Sequence, residues 1–220
     1  MAADNNEKDI VYYYATLFGW LKCISLFELI RYYRKKKGKE NHTHIVELWV
    51  VGHVLLSFIA VIIANYFGTI KWIIYPLMIY GFLRNFEIII YQINVLLFDQ
   101  YRSERKNIPY KIADYRRMVI LLFHNFVEIV FWFSVTYLFA IKFFIIENDI
   151  KNNFAQSIYI SFVTMTTFGP PNFNIKESFG LYLVSIQSMI GLIMTLLTFA
   201  RFISLLPNIE AKSTKSDDPS

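Results

Sequence analysis

Apolar residues in this chain come in long runs divided by short polar stretches. Residues 46–67, 72–98, 118–146 and 179–206 form four such runs. Each exceeds the roughly 20 apolar residues that carry a helix across a bilayer core. The pattern predicts an all-α integral membrane fold with four transmembrane helices. Between the third and fourth runs lies a shorter amphipathic stretch, 153–163, too short to span. With the loop after it, this stretch predicts a re-entrant helix and hairpin. A fifth apolar stretch, 10–30, carries Lys22 and Glu28 among Tyr12, Tyr13, Tyr14 and Trp20. Aromatic and charged residues favour a membrane interface, so the expectation is a helix lying on the cytoplasmic face rather than a fifth span. Pro76 falls in the first turns of the second run, where proline costs least.

Charge gives the runs a direction. Arg31, Arg34, Lys35, Lys36, Lys37 and Lys39 precede the first run. Arg102, Arg105, Lys106, Lys111, Arg116 and Arg117 precede the third. Basic loops stay in the cytoplasm, so the first and third helices run outward and the second and fourth inward. The segment 147–153 has no basic excess and belongs outside. The expected location is the cell membrane, multi-pass, with both termini cytoplasmic. This topology accounts for the net charge of +5 without nucleic acid as a partner. The 31–39 run serves as a topology anchor or meets anionic lipid. A chain that is 55% hydrophobic with a mean hydropathy of +0.39 is too apolar for an ordinary soluble domain. Cys23 is the single cysteine, so no disulfide forms within the chain. The polar start, 1–9, is not a cleavable signal.

The loop holds the densest chemistry. It reads Ser161-Phe-Val-Thr-Met-Thr-Thr-Phe-Gly-Pro-Pro-Asn-Phe173. Irregular backbone at membrane depth survives only where protein buries it or water reaches it. Threonines and a glycine there place hydroxyl and carbonyl oxygens where they can replace an ion's water shell. The run Thr164-Met165-Thr166-Thr167-Phe168-Gly169 resembles the filter of potassium channels. The helix from Gln187 to Arg201 is similar to that family's pore-lining helix, with Gly191 at the hinge position. The resemblance covers 118 to about 206, less than half the chain. It implies an ion-conducting filter of Thr166, Thr167, Phe168, Gly169 and Pro170, a gating hinge at Gly191, and a homotetramer, because one chain supplies one pore loop. Potassium or sodium is then the permeant ion, and no other cofactor is implied. Where the family continues Gly-Tyr-Gly-Asp, this chain has Gly169-Pro170-Pro171-Asn172. Proline is locked near −65° and cannot copy a glycine of positive φ. The outer half of the filter is therefore rebuilt, and a potassium-permeable pore with weakened discrimination against sodium is expected.

The resulting division is an N-terminal segment (1–45) with amphipathic helix and basic run, two peripheral helices (46–98), a basic linker (99–117), a pore module (118–206) and a disordered tail (207–220). On the last helix Leu192, Thr195, Phe199 and Ile203 share one face at helical spacing. That face lines the pore, with Phe199 and Ile203 as an apolar constriction, or it meets lipid. Asn152 or Asn153 is placed to cap the short helix. Arg84 and Glu87, three apart, are expected to pair. His124 and Glu128, four apart, are placed to share a proton or to join the outer helices to the pore module, and His53 could join either set. His42 and His44 are too few for a metal site. No nucleophile motif, phosphate loop or metal cluster supports an enzyme. Two alternatives stay open: a non-conducting subunit that regulates a partner, and a channel effector that depolarises its own membrane.

Overall fold

A computed structural model describes residues 9–22, 25, 43–107, 115–140, 144–146, 153–169 and 173–204. Four of its helices are long and apolar enough to cross a membrane, so the chain is a multi-pass helical membrane protein. The order is α1 (Ile10–Lys22), α2 (Thr43–Phe67), α3 (Lys71–Ile93), a π-helical turn (Asn94–Phe98), α4 (Asp99–Arg105), α5 (Tyr115–Ala140), β1 (Phe144–Ile146), α6 (Asn153–Met165), β2 (Phe173–Ile175) and α7 (Ser178–Ser204). The spans at 46–67, 72–98 and 179–206 correspond to α2, to α3 with its π turn, and to α7, with ends shifted by a few residues. The basic run 31–39, Pro170, Pro171, His42 and the tail 207–220 lie outside the described residues.

The third run differs from expectation. It does not stay helical to 146: α5 stops at Ala140, and Phe144–Ile146 pairs antiparallel with Phe173–Ile175, Phe144 opposite Ile175 and Ile146 opposite Phe173. Continuous apolar character cannot separate a strand from a helix end, and aromatic and β-branched residues suit either. The ribbon ties the entrance of the α6 hairpin to its exit. The short helix is longer than the amphipathic stretch that foretold it, running to Met165.

At the centre stands α5. α2 runs parallel to it, with Phe58 against Phe131 and Arg117 donating to Glu47 at 2.7 Å. α3 runs antiparallel, Tyr75 meeting Phe139 near one end and Arg84 meeting Glu128 further along. One apolar cluster, including Ile129, Phe133, Ile160, Met165, Leu183 and Met194, joins α5, α6 and α7. A second, including Val61, Ile74, Trp132 and Val135, joins α2, α3 and α5. α7 buries one stripe, Leu183, Gln187, Ile190, Met194 and Leu197, and leaves its other faces exposed.

The expected linker at 99–117 begins as helix. α3, the π turn and α4 form one rod from Lys71 to Arg105. At 1.5 Å per residue it is about 52 Å long, against a hydrocarbon core of about 30 Å, so one end stands clear of the apolar layer. Asp99 in the first turn of α4 and Arg102 and Arg105 in the last complement the helix dipole. α1 runs antiparallel to the α4 end of this rod. Asp9 caps it through a 2.8 Å bond from the Tyr12 amide and accepts from the Tyr101 hydroxyl. Arg102 donates to Ala15 O at 2.7 Å and to Asn94 Oδ1 at 2.6 Å. Asn94, fully buried in the π turn, donates to Phe18 O and to Ile90 O, both at 2.8 Å. A π turn inserts an extra residue and re-aims a side chain; here it sends Asn94 toward α1. The helix is described to Lys22, and residues 26–30 of the expected stretch lie outside the described residues.

Candidate functional site

The loop after α6 is built from helix-capping chemistry. The amide of Thr167 donates to Thr164 O at 3.1 Å, and that of Phe168 to Val163 O at 3.2 Å. Together these are the paired bonds of a Schellman motif, which requires a left-handed residue where the helix ends. That residue is Thr167, with φ of 62°. Glycine normally fills such a position, and a β-branched residue there is strained by on the order of 1–3 kcal/mol. Thr166 turns its hydroxyl back to Phe162 O and Val163 O, both at 3.1 Å. Gly169 is left-handed too, with φ of 70°. Thr167, Phe168 and Gly169 are exposed, Phe168 by 87%.

The loop sits where α6 meets the middle of α7. A Cβ on Gly191 would overlap the Met165 carbonyl oxygen. Glycine thus lets the last residue of α6 touch the backbone of α7, the geometry of a Cα–H···O contact. One turn back, Gln187 donates to Ser161 O at 2.9 Å and to Ser161 Oγ at 2.8 Å, and Ser161 Oγ donates to Val130 O at 2.7 Å. Gln187 and Ser161 are fully buried, so these bonds strap α6 between α5 and α7 in an apolar setting where a missing partner is costly. Gly191 was singled out in the sequence by resemblance. Ser161 and Gln187 were not given this role; a glutamine inside an apolar run was the signal for it.

Leu192, Thr195, Phe199 and Ile203 are all exposed along α7. The single chain leaves this face uncovered, and Thr195 donates back to Gly191 O at 2.9 Å. α6 begins at Asn153, and Asn152, the other residue expected to cap it, lies outside the described residues.

A second polar centre lies between α2, α3 and α5. The Arg84 guanidinium grips Glu128 with two bonds, 2.7 Å from Nε and 3.1 Å from Nη2, and reaches Glu87 from Nη1 at 2.7 Å. Glu128 is wholly buried and also accepts from Trp132 Nε1 at 3.2 Å. The Trp132 ring lies where a side chain on residue 81 would be, 2.9 Å from an added Cβ, so Gly81 admits it. Ser25 donates to Glu87. The expected Arg84–Glu87 pair is present. Of the two roles open to His124 and Glu128, the shared proton is absent, since His124 bonds Ile120 O at 2.8 Å on its own helix, whereas Glu128 joins the outer helix α3 to α5 through a bidentate arginine, the stronger partner. His53 joins neither, bridging Trp49 O at 2.8 Å and the Tyr80 hydroxyl at 2.9 Å. One arginine held by two carboxylates is a structural clamp of two spans, α3 and α5. Among the described residues no three His, Cys, Asp or Glu side chains gather as a metal site.

Fold and site together define a four-span helical membrane protein with a strained, exposed Thr-Thr-Phe-Gly loop held against the middle of its last span. No family model, curated protein or solved structure matches the chain.

The strain at Thr167 gives a direct prediction. Thr167→Gly removes the left-handed cost, which outweighs the extra flexibility glycine gives the unfolded chain. The variant should be more stable by about 1 kcal/mol, a rise of about 2–4 °C in the thermal midpoint for a chain of this size. Thermal unfolding in detergent, followed by tryptophan fluorescence, measures it.

Proposed function

We propose that this protein is a cation channel of the cell membrane, potassium-permeable with relaxed discrimination against sodium, whose filter is the Thr166–Pro170 loop contributed by each of four copies. Both termini are cytoplasmic, on the side of the basic segments. The observation that carries the reading is Thr167, a β-branched residue kept in a glycine conformation at an exposed loop between two spans. Strain of this kind persists where surroundings over-determine it and gathers at functional sites. The chemistry of the loop supports the same reading. Its hydroxyl and carbonyl oxygens are ligands of the kind that replace ion hydration, and the C-terminal end of α6 adds a partial negative charge that favours cations. The exposed α7 face of Leu192, Thr195, Phe199 and Ile203 is then the wall of the pathway, with Gly191 its hinge.

The test is ion flux from liposomes holding only this protein, loaded with potassium against a sodium exterior. The reading expects potassium efflux driven by the gradient and measurable sodium entry. Absence of both, in protein shown to be folded and tetrameric, would move the chain to a regulatory subunit, the role that Pro170 and Pro171 favour most among the alternatives.

A further inference from the structure

The rod of α3 and α4 departs from a plain α-helix at one joint. The Asp99 amide donates to Asn94 O, five residues back. Phe98 absorbs the difference, with φ of −110° and ψ of −18°. Such a turn takes in one extra residue, and the effect reaches Arg102. In a plain α-helix, residues eight apart diverge by about 80° around the axis. With one residue absorbed they behave as seven apart and diverge by about 20°. Asn94, Phe98 and Arg102 therefore fall on one stripe. Arg102 Nη2 reaches back to donate to Asn94 Oδ1 at 2.6 Å, and its guanidinium lies over the Phe98 ring, 5.7 Å from the centroid.

That stripe is the seat of α1. Asn94 donates to Phe18 O, Arg102 donates to Ala15 O, and Phe98 stacks on Phe18 with ring centroids 5.6 Å apart. These groups hold α1, rather than a buried apolar face. Ala15 is buried, while Ile10, Tyr13, Leu17 and Trp20 face outward, Trp20 exposed by 77%. Beyond α1, Ser25 donates to Glu87, a tether that stays when α1 lifts. A lifted α1 takes away Phe18 O, and with it the contact that aims Asn94 out of the rod. π turns are rare and gather at functional positions; this one is fixed by a partner helix.

We propose that the π turn is a two-state joint set by α1. With α1 seated, the turn keeps its extra residue. With α1 lifted, the turn relaxes to α-helix, which swings α4 by about 100° around the rod and lengthens the rod by about 1.5 Å, one residue's share of an α-helix. The swing carries Arg102 off the stripe of Asn94, so both polar contacts with α1 end together. Lifting α1 and relaxing the turn are then one equilibrium, and each favours the other by the same free energy. α4 precedes α5, the central helix, in the chain, so the joint gives the N-terminal segment a mechanical route to the bundle. This inference does not depend on ion conduction.

The experiment measures distances between spin labels on the full chain in nanodiscs, in a Cys23→Ser background and diluted with unlabelled chain so that only distances within one copy are read. Phe86→Cys and Gln100→Cys, at exposed positions on either side of the joint, report its setting. With nitroxides about 10 Å from the axis, helix geometry gives about 27 Å for the seated state and about 22 Å for the relaxed one. Tyr13→Cys and Glu104→Cys, also exposed, report whether α1 is seated. Two perturbations come from opposite sides. Ala15→Trp wedges α1 off the rod, and Asn94→Ala removes the amide that fixes the turn. The proposal expects each to shorten the 86–100 distance by about 5 Å and to lengthen and broaden the 13–104 distance, while a cooperative unfolding transition shows each variant to be folded. An 86–100 distance unchanged in both variants would overturn the proposal. So would a lifted α1 with the 86–100 distance unchanged, or a shortened 86–100 distance with α1 still seated, because either result separates the two halves of the joint.

Discussion

Gly191→Ala is expected to destabilise the protein, against the sign that helix propensity alone gives. In an ordinary helix interior, alanine is better than glycine by about 0.5–1 kcal/mol. Here the new methyl would overlap the Met165 carbonyl oxygen, a backbone atom at the end of α6. Backbone cannot swing aside as a side-chain tip can. α6 must retreat from α7, stretching the Gln187–Ser161 bonds that hold it. Overpacking of this kind costs about 1–3 kcal/mol, and Gly191→Val should cost more, because its branches also meet the α6 terminus. Thermal unfolding of wild type, Gly191→Ala and Gly191→Val gives the order. A neutral or stabilising alanine would mean that α6 does not rest on α7 at this point. The same variants should lose ion flux, since the Thr166–Gly169 loop moves with the end of α6.

Removal of Arg84 should have the largest effect of any single buried substitution. Arg84→Met leaves Glu128, wholly buried, without the two bonds it receives from the guanidinium, and leaves Glu87 without its 2.7 Å partner. Breaking a buried pair by removing one member costs about 3–5 kcal/mol, a fall on the order of 10 °C in thermal midpoint for this size of chain. Glu128→Gln should cost distinctly less. It keeps an oxygen for Trp132 Nε1–H and leaves Arg84 paired with Glu87. The comparison separates a clamp centred on arginine from three independent polar contacts: equal losses in the two variants would contradict the clamp. Trp132 reports on the change directly, because its indole touches the site.

Much of the fold was legible because a bilayer imposes length. Once the runs at 46–67, 72–98 and 179–206 were seen, little but spanning helices could satisfy their backbone. The short helix α6 was legible for the complementary reason: it was too short to span and lay between two segments long enough to do so. Boundaries were less so. The Phe- and Ile-rich stretch at 144–146 has the same apolar character whether it ends α5 or forms β1. The polar stretch at 99–105 reads as a loop until Asp99, Arg102 and Arg105 are seen to match a helix dipole.

In the candidate sites, contacts within one helix were readable and contacts between helices were not. Arg84 and Glu87 are three apart, and they pair. His124 and Glu128 are four apart, and they do not, because Arg84 on another span offers Glu128 a charge and two donors. Nothing in a linear pattern records that competition. Asn94 and Arg102 looked like ordinary polar residues of a helix end until the π turn brought them to the carbonyls of α1. The left-handed Thr167 was equally hidden: its neighbours promised oxygens, but only the backbone angle reveals that threonine stands where a helix end calls for glycine.

The most direct test of the central claim, that ions pass over this loop, is thiol block of Thr167→Cys. Cys23→Ser provides a cysteine-free background, and cysteine, not β-branched, should tolerate the left-handed position at least as well as threonine. Purified variant in liposomes should release potassium, and a charged methanethiosulfonate reagent should stop that release while leaving the Cys23→Ser parent unaffected. Potassium release that continues undiminished after complete modification of Thr167→Cys would contradict the claim and place the pathway elsewhere.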